Sequence, residues 1–358
     1  MRILGIETSC DETAAAVVED GNRLLSNAVA SSMELHIPYG GVVPEIAARS
    51  HIEEILPTVQ KALDDAECTW DDIDGIAVTY GAGLGGSLLI GVLTARTLAI
   101  AHNKPLYGIN HVEAHVYANF LTELGPFFGT PTTNYQLPAI TPVFPMLAII
   151  VSGGHSQLVL FQDHFEYVLL GQTHDDAIGE AFDKVAKMLG LPYPGGPSVS
   201  KAALSGDPMA FKLPKAKMDK YDFSFSGLKT AVLRLAQREI GETHAFPSIG
   251  LPERLSEAQK ANIAASFQRT AIETIVDKAK IAIEEYDPKS VVIAGGVAAN
   301  QELRRQLKDG LPLPIEFPDL KLCTDNGAMI ATLGCFKAMN NQAAADPYTL
   351  DIAPNLSM

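Results

Sequence analysis

His111 and His115 stand four positions apart in His111-Val112-Glu113-Ala114-His115. On a helix that spacing puts both imidazoles on one face, about one turn apart. Two rings so placed suit two ligand positions around a divalent cation, and they suit a partly buried polar helix face equally well. A zinc protease would need a glutamate directly after the first histidine. At about 100° per residue Glu113 points away from both rings, so it cannot serve a metal-bound water. A third ligand has to come from elsewhere in the chain. Asp325, in Cys323-Thr324-Asp325-Asn326-Gly327, follows a short strand pattern where a helical run begins; it can complete the ligand set or cap that helix.

A second chemistry is suggested by four small-residue turns at 8–13, 81–87, 152–156 and 295–300, each after a strand-like run. Without Cβ atoms, backbone amides approach an anion closely, and a following helix N-terminus adds a favourable dipole. No Gly-Lys-Ser or Gly-Lys-Thr closes any of them, so none is a P-loop. Gly81-Ala82-Gly83-Leu84-Gly85-Gly86 imitates a dinucleotide fingerprint but lacks a ribose-binding acid after the next strand, expected at 106–109. Spread over both halves, the turns suit opposing clamps on one nucleotide in a cleft between lobes. Asp183, the turn Pro194-Gly195-Gly196-Pro197 read as rigid, and Asn300, as helix cap or as ligand contact, fit such a cleft. Cys10, in the first turn, reads as a small buried residue.

The elements that position these residues repeat. An apolar strand at 2–7, a polar turn and a second strand at 14–19 open the chain; a strand at 146–151, the turn Ser152-Gly153-Gly154-His155-Ser156 and a strand at 157–161 open its second part. Each is a hairpin pattern, and their recurrence predicts a duplication of two related α/β lobes. Between them, helix 44–67, strand 73–80, helix 88–101, strand 106–109 and helix 111–121 predict a mainly parallel, covered sheet. Helices near 176–189, 226–239 and 257–285, a strand at 290–294 and a last helix near 325 complete the second part. The expected division is an N-terminal lobe 1–124, a Pro-rich excursion 125–145, and a C-terminal lobe 146–358 with helical insertions at about 175–287.

Composition bounds the function. The 358 residues are 47% hydrophobic and 19% charged, enough to bury two cores. The N-terminus enters a strand directly, Glu7 and Asp11 interrupt any leader-like run, and no 18-residue apolar stretch is uninterrupted. With four cysteines lacking CxxC spacing, a cytoplasmic protein without a membrane anchor is expected. A net charge of −15 argues against unaided nucleic-acid binding through a broad basic surface. A local run, Lys212, Lys215, Lys217 and Lys220 with Asp219 among them, is either a basic patch or a solvated loop.

Taken in order, these stretches resemble the bacterial TsaD-type tRNA threonylcarbamoyladenosine transferase family. The matching segments are 5–13 (Gly-Ile-Glu-Thr-Ser-Cys-Asp-Glu-Thr), 111–115, 151–155, 175–184, 193–197, 223–230, 295–300 and 323–326, nearly the whole chain. The resemblance implies a duplicated actin-like/sugar-kinase/Hsp70 fold with mixed sheets covered by helices and an active site between lobes. It implies transfer of threonylcarbamoyl from threonylcarbamoyl-AMP to the exocyclic amine of the adenosine 3′ of the anticodon in tRNAs reading ANN codons, with release of AMP. His111, His115 and Asp325 would hold one divalent metal, Fe²⁺ or else Zn²⁺. Val151, Ser152, Gly153, Gly154, His155, Asp183, Gly196 and Asn300 would contact the donor. Asp11 or Glu12, in the first turn, would orient the amine or take its proton. The implied partners are tRNA, a degenerate actin-like subunit (TsaB type) and a small P-loop ATPase (TsaE type). The chain departs from the family pattern in a longer 125–145 excursion and in Ser200, where many members carry an acid, so no ligand is carried over there. The alternative is a small-molecule kinase or ATPase of the same architecture.

Overall fold

The computed structural model describes residues 1–129 and 135–358; the middle of the expected excursion, Pro131 included, lies outside the described residues. The chain forms two compact units, Met1–Pro142 with Glu316–Met358, and Val143–Ile315.

Among the described residues, the first unit has a six-stranded sheet of β1 (Arg2–Glu7), β2 (Glu12–Glu19), β3 (Arg23–Ser31), β4 (Gly75–Gly81), β5 (Leu106–Asn110) and β6 (Glu123–Leu124), in the order β5-β4-β1-β2-β3-β6. β1, β2 and β3 form an antiparallel meander, whereas β4 and β5 add in parallel beyond β1. β1 and β4 are apolar and buried along nearly their whole length, as strands covered on both faces must be. Side chains alternate between the faces. Leu4, Ile6, Val17 and Val78 pack with Ile55, Val59, Val92 and Ala95 of helices Pro44–Asp65 and Gly85–His102. Gly5 faces the other way, onto helix Gly327–Met339. A Cβ on Gly5 would lie 2.4 Å from the amide nitrogen of Ala331, and one on Gly327 would lie 2.5 Å from the backbone of Ala15. Strand and helix therefore meet backbone to backbone, two residues from Glu7 on one side and from Asp325 on the other.

This placement corrects the expected domain boundary, which gave residues 316–358 to the second lobe. Helix Gly327–Met339 is buried from Gly327 through Cys335, and a helix apolar all round must lie inside a unit; the β1–β2 face is what covers it. The segment after it stays with the same unit, where Ala353 N–H donates to Tyr80 O at 2.7 Å and Arg96 Nε to Pro347 O at 2.6 Å. The described end of the excursion does too, since Gln136 N–H donates to Asp319 at 2.5 Å and Ala139 N–H to Glu316 at 2.6 Å.

The second unit repeats the plan. β7 (Met146–Val151), β8 (Ser156–Asp163) and β9 (Glu166–Gln172) form an antiparallel meander, and β10 (Ser290–Ala294) joins β7 in parallel. The order β10-β7-β8-β9 matches β4-β1-β2-β3, so the duplication read from the two hairpins is present in the topology. Helices Ile178–Leu189, Gly195–Ala203, Ser226–Glu239 and Glu257–Tyr286 fill the expected insertion, with Phe182 and Phe267 edge to face at 4.9 Å. Helix Gly195–Ala203 replaces the rigid turn expected at 194–197. Gly and Pro are poor helix formers, but Pro197 sits in the first turn, where its missing N–H costs little. The Asp183 carboxylate supplies the cap, accepting the Gly195 N–H at 2.7 Å.

Helix Gly85–His102 is long and apolar enough to cross a bilayer by length and composition alone. Here Ser87, Leu88, Gly91, Val92, Ala95 and Ala99 are buried, as in the core helix of an α/β unit, while Leu89, Leu93 and Ile100 are exposed.

Candidate functional site

In the first unit, β5 ends at Asn110, whose carboxamide oxygen accepts from Val112 N–H at 2.9 Å and Glu113 N–H at 3.3 Å. This cap starts helix His111–Tyr117 immediately at the first histidine. The two rings lie edge to face at 4.7 Å, and both Nε2 atoms face one oxygen. His111 Nε2 is 3.6 Å and His115 Nε2 3.3 Å from Asp325 Oδ1, and one ligand atom from each residue lies within 4.8 Å of the others. Two imidazole nitrogens and a carboxylate oxygen converging from separate elements fit a divalent first-row cation with positions left for other ligands.

The capping role that competed for Asp325 is taken by its neighbour. Asn326 is fully buried; its Oδ1 accepts from Met329 N–H at 3.0 Å, and its Nδ2 donates to Thr324 O at 2.7 Å and Leu322 O at 3.2 Å. Those bonds lock the loop that carries Asp325. Glu113 turns away from the histidines and is buried. Burial raises its carboxyl above the usual range, with Lys337 opposing.

Negative charge gathers at this group. Burial opposes protonation of His111, yet Asp325 and Glu7 overcome it and raise the ring to about 9. Burial, then Asp325 and Asp11, push Glu12 up to about 9; its carboxylate accepts from Ser31 Oγ at 3.3 Å. Cys10 is half-buried rather than buried as expected, and burial and Asp325 raise its thiol far above its usual range, which argues against a nucleophile. A cation answers such a cluster of carboxylates.

In the second unit, the turn between β7 and β8 closes by Ser152 N–H to His155 O at 2.8 Å and His155 N–H to Ser152 Oγ at 3.0 Å. Gly153 borders a cavity of about 790 Å³ that Asp183, Gly196, Ser200, Gln268 and Asn300 also line, a size suited to a nucleotide-like ligand. A Cβ on Gly153, Gly154 or Gly196 would meet nothing within 4 Å. Val151 is fully buried in β7, and Ser152 and His155 hold the turn. Of the eight residues expected at the donor, four line the cavity: Gly153, Asp183, Gly196 and Asn300. Burial raises the Asp183 carboxyl, with the Gly195 amide opposing.

Asn300 fills the capping role weighed for it and also lines the cavity. Its Oδ1 caps helix Gln301–Gly310 through Leu303 N–H at 3.0 Å, while its Nδ2 donates to Ser200 Oγ at 2.9 Å and Gln268 Oε1 at 3.1 Å. Ser200 Oγ lies 2.9 Å from Gln268 Oε1 and 2.9 Å from Gly196 O. Sequence reasoning missed Gln268, which sits mid-helix without a motif; only the network of neutral groups identifies it.

The lysine run divides. Lys215 pairs with Asp277 at 2.7 Å and Glu273 at 3.1 Å, and Lys220 pairs with Glu285. Lys212 instead borders a groove of about 1020 Å³ with Arg234, Arg238 and His244. Arg234 bonds only to the neutral acceptors Gln237 Oε1 and His244 O, so its charge has no carboxylate partner among the described residues.

A family model described as TsaD: tRNA N6-adenosine threonylcarbamoyltransferase matches residues 23–332. The chain is 48% identical over 366 residues to the tRNA N6-adenosine threonylcarbamoyltransferase of Thermomicrobium roseum, covering 100% of this chain and 97% of that one. It is 45% identical over 359 residues to the same-named protein of Dehalococcoides mccartyi, covering 100% and 99%. Component A of the Acidaminococcus fermentans (R)-2-hydroxyglutaryl-CoA dehydratase is similar in structure at a TM-score of 0.48 and 15% identity, covering 95% of this chain and 99% of that chain.

Proposed function

The chain belongs to the TsaD family of tRNA N6-adenosine threonylcarbamoyltransferases, and from that premise we propose how its residues divide the transfer. His111, His115 and Asp325 hold one divalent cation, Fe²⁺ in first place and Zn²⁺ otherwise; the convergence of both Nε2 atoms on Asp325 Oδ1 carries this reading. When bound, the cation would supply Lewis acidity. The cavity of the second unit receives threonylcarbamoyl-AMP, with Gly153 and Gly196 admitting it closely and Asp183 and Asn300 providing polar contacts. Val151, Ser152, Gly154 and His155 shape the turn that bears Gly153.

The acceptor amine of adenine is a weak nucleophile, because its lone pair is delocalised into the ring. Positioning therefore matters more than a strong base. A Glu12 carboxyl raised to about 9 holds its proton near neutrality and orients the amine by hydrogen bonding; Asp11, beside it, is the remaining candidate to take a proton. AMP leaves, and the threonylcarbamoyl group stays on the tRNA adenosine 3′ of the anticodon in ANN-reading tRNAs.

With a net charge of −15, tRNA is held locally or by partners. The groove of Lys212, Arg234, Arg238 and His244 supports contact with the phosphate backbone. Ile52 and Leu56 on one helix and Leu89 and Leu93 on the next are exposed apolar i,i+4 pairs, which supports docking of the degenerate actin-like subunit there; the small P-loop ATPase completes the set. The setting is the cytoplasm.

The test is nucleoside mass spectrometry of tRNA from cells depleted of this protein and complemented with the wild type or with His111→Ala/His115→Ala. Restoration by the wild type alone is expected. Restoration by both removes the metal assignment, and an undiminished modification after depletion removes the transfer itself.

A further inference from the structure

Ligation through Nε2 leaves the other nitrogen of His111 to be explained, and that nitrogen meets Glu7. Glu7 ends β1 and is fully buried. Its Oε1 accepts the Ser9 amide N–H. Its Oε2 accepts the Thr79 hydroxyl at 2.6 Å and lies 3.1 Å from His111 Nδ1. Ser9 Oγ is also 3.1 Å from that nitrogen. A buried carboxylate is costly to keep unless every lone pair is used, and among the described residues Glu7 has no lysine or arginine partner. Three donors take that place: an amide, a hydroxyl and the imidazole.

We propose that Glu7 is a positioning residue for the metal group: it holds the proton of His111 on Nδ1 and so presents a bare Nε2 toward Asp325. This rests on the reading of His111 as a ligand. An ionised carboxylate accepts only, so the hydrogen between Glu7 and His111 belongs to Nδ1. The neutral ring then has its lone pair at Nε2, the nitrogen that faces Asp325 Oδ1. A carboxylate behind a ligating histidine fixes the ring and raises its basicity. Among the described residues His115 has no such anchor; its Nδ1 is buried without a hydrogen-bond partner. The orientation of the pair therefore depends on Glu7.

Glu7→Gln tests this sharply because the Ser9 N–H can only donate. It claims the carboxamide oxygen, which turns the amide NH₂ toward His111 Nδ1 and drives the ring proton to Nε2. Zn²⁺ competition titrations of the full-length chain should give a dissociation constant weakened 10- to 100-fold, with Glu7→Asp falling between Glu7→Gln and the wild type. An affinity within twofold of wild type in Glu7→Gln overturns the proposal. Should Glu7→Gln fail to fold, ¹⁵N imidazole correlation spectra of the metal-free wild type decide alone. Recorded above about pH 10, where a ring raised to about 9 is mostly neutral, His111 must carry its hydrogen on Nδ1, and a hydrogen on Nε2 there refutes the assignment. Unchanged Zn²⁺ affinity in His111→Ala would instead sink the ligand reading beneath it, whatever the tautomer.

Discussion

Binding of a cation should expel a proton from His111 at a pH where an ordinary histidine has none to give. The ring is raised to about 9, and its Nε2 must be bare to ligate. At pH 7.5 a group with that constant is about 97% protonated, against about 10% for an unperturbed imidazole. Glu12, also raised to about 9, can release a second proton, so Glu12→Gln is the background in which to count. Zn²⁺ titrations by calorimetry, in buffers of different ionisation enthalpy, should report close to one proton from His111 per cation at pH 7.5. The apparent association constant should rise about tenfold from pH 6.5 to 7.5, which is about 1.4 kcal/mol. Release below half a proton in Glu12→Gln, or a flat affinity over that range, would refute the idea that Asp325 and Glu7 charge this ring.

The same shifts bear on stability. His111 and Glu12 both have folded-state constants above their unfolded values, so each stabilises the metal-free chain most at low pH and loses that contribution as pH rises toward about 9. The thermal midpoint in chelator should fall from pH 7 to 9, and saturating Zn²⁺ should flatten the decline; an apo midpoint that climbs contradicts it. Gly327→Ala puts a methyl 2.5 Å from the Ala15 backbone, a cost of about 1–3 kcal/mol readable as a lower urea midpoint together with weaker Zn²⁺ binding. Lys212→Glu/Arg238→Glu should lower the magnitude of the log affinity versus log salt slope for tRNA by about 2, and an unchanged slope removes the groove. Leu56→Asp/Leu93→Asp should abolish co-purification with the degenerate actin-like subunit while leaving Zn²⁺ affinity intact; retained co-purification moves that interface elsewhere.

The histidine pair was legible in sequence because four-residue spacing on a helix is local information. Asp325 was harder: a carboxylate and a carboxamide stand side by side before that helix, and only geometry assigns the cap to Asn326. The duplication was visible in its hairpins, yet β9 was not. It is exposed or half-buried everywhere except Gly171, so it carries no apolar, buried face to betray it. Helix Gly195–Ala203 hid behind Gly-Gly-Pro because its cap comes from Asp183, twelve residues earlier. Gln268 carried no signal, and Ser200 stood out only as a departure from the family pattern, since their partner Asn300 is brought to them by the fold. The family resemblance supplied the chemistry, which spacing alone left open between ligand site and polar face.

The position of helix Gly327–Met339 has a consequence for biosynthesis. It covers the Gly5 face of β1, among the first strands made, yet it leaves the ribosome only after the whole of Val143–Ile315 has been translated. At about 5–20 residues per second, that interval is on the order of 10–40 s. Through that time the strands lack their final cover, and His111 and His115 lack Asp325. The nascent chain must be shielded from aggregation until its last helix arrives, and Asp325 cannot join the two histidines before translation is almost over.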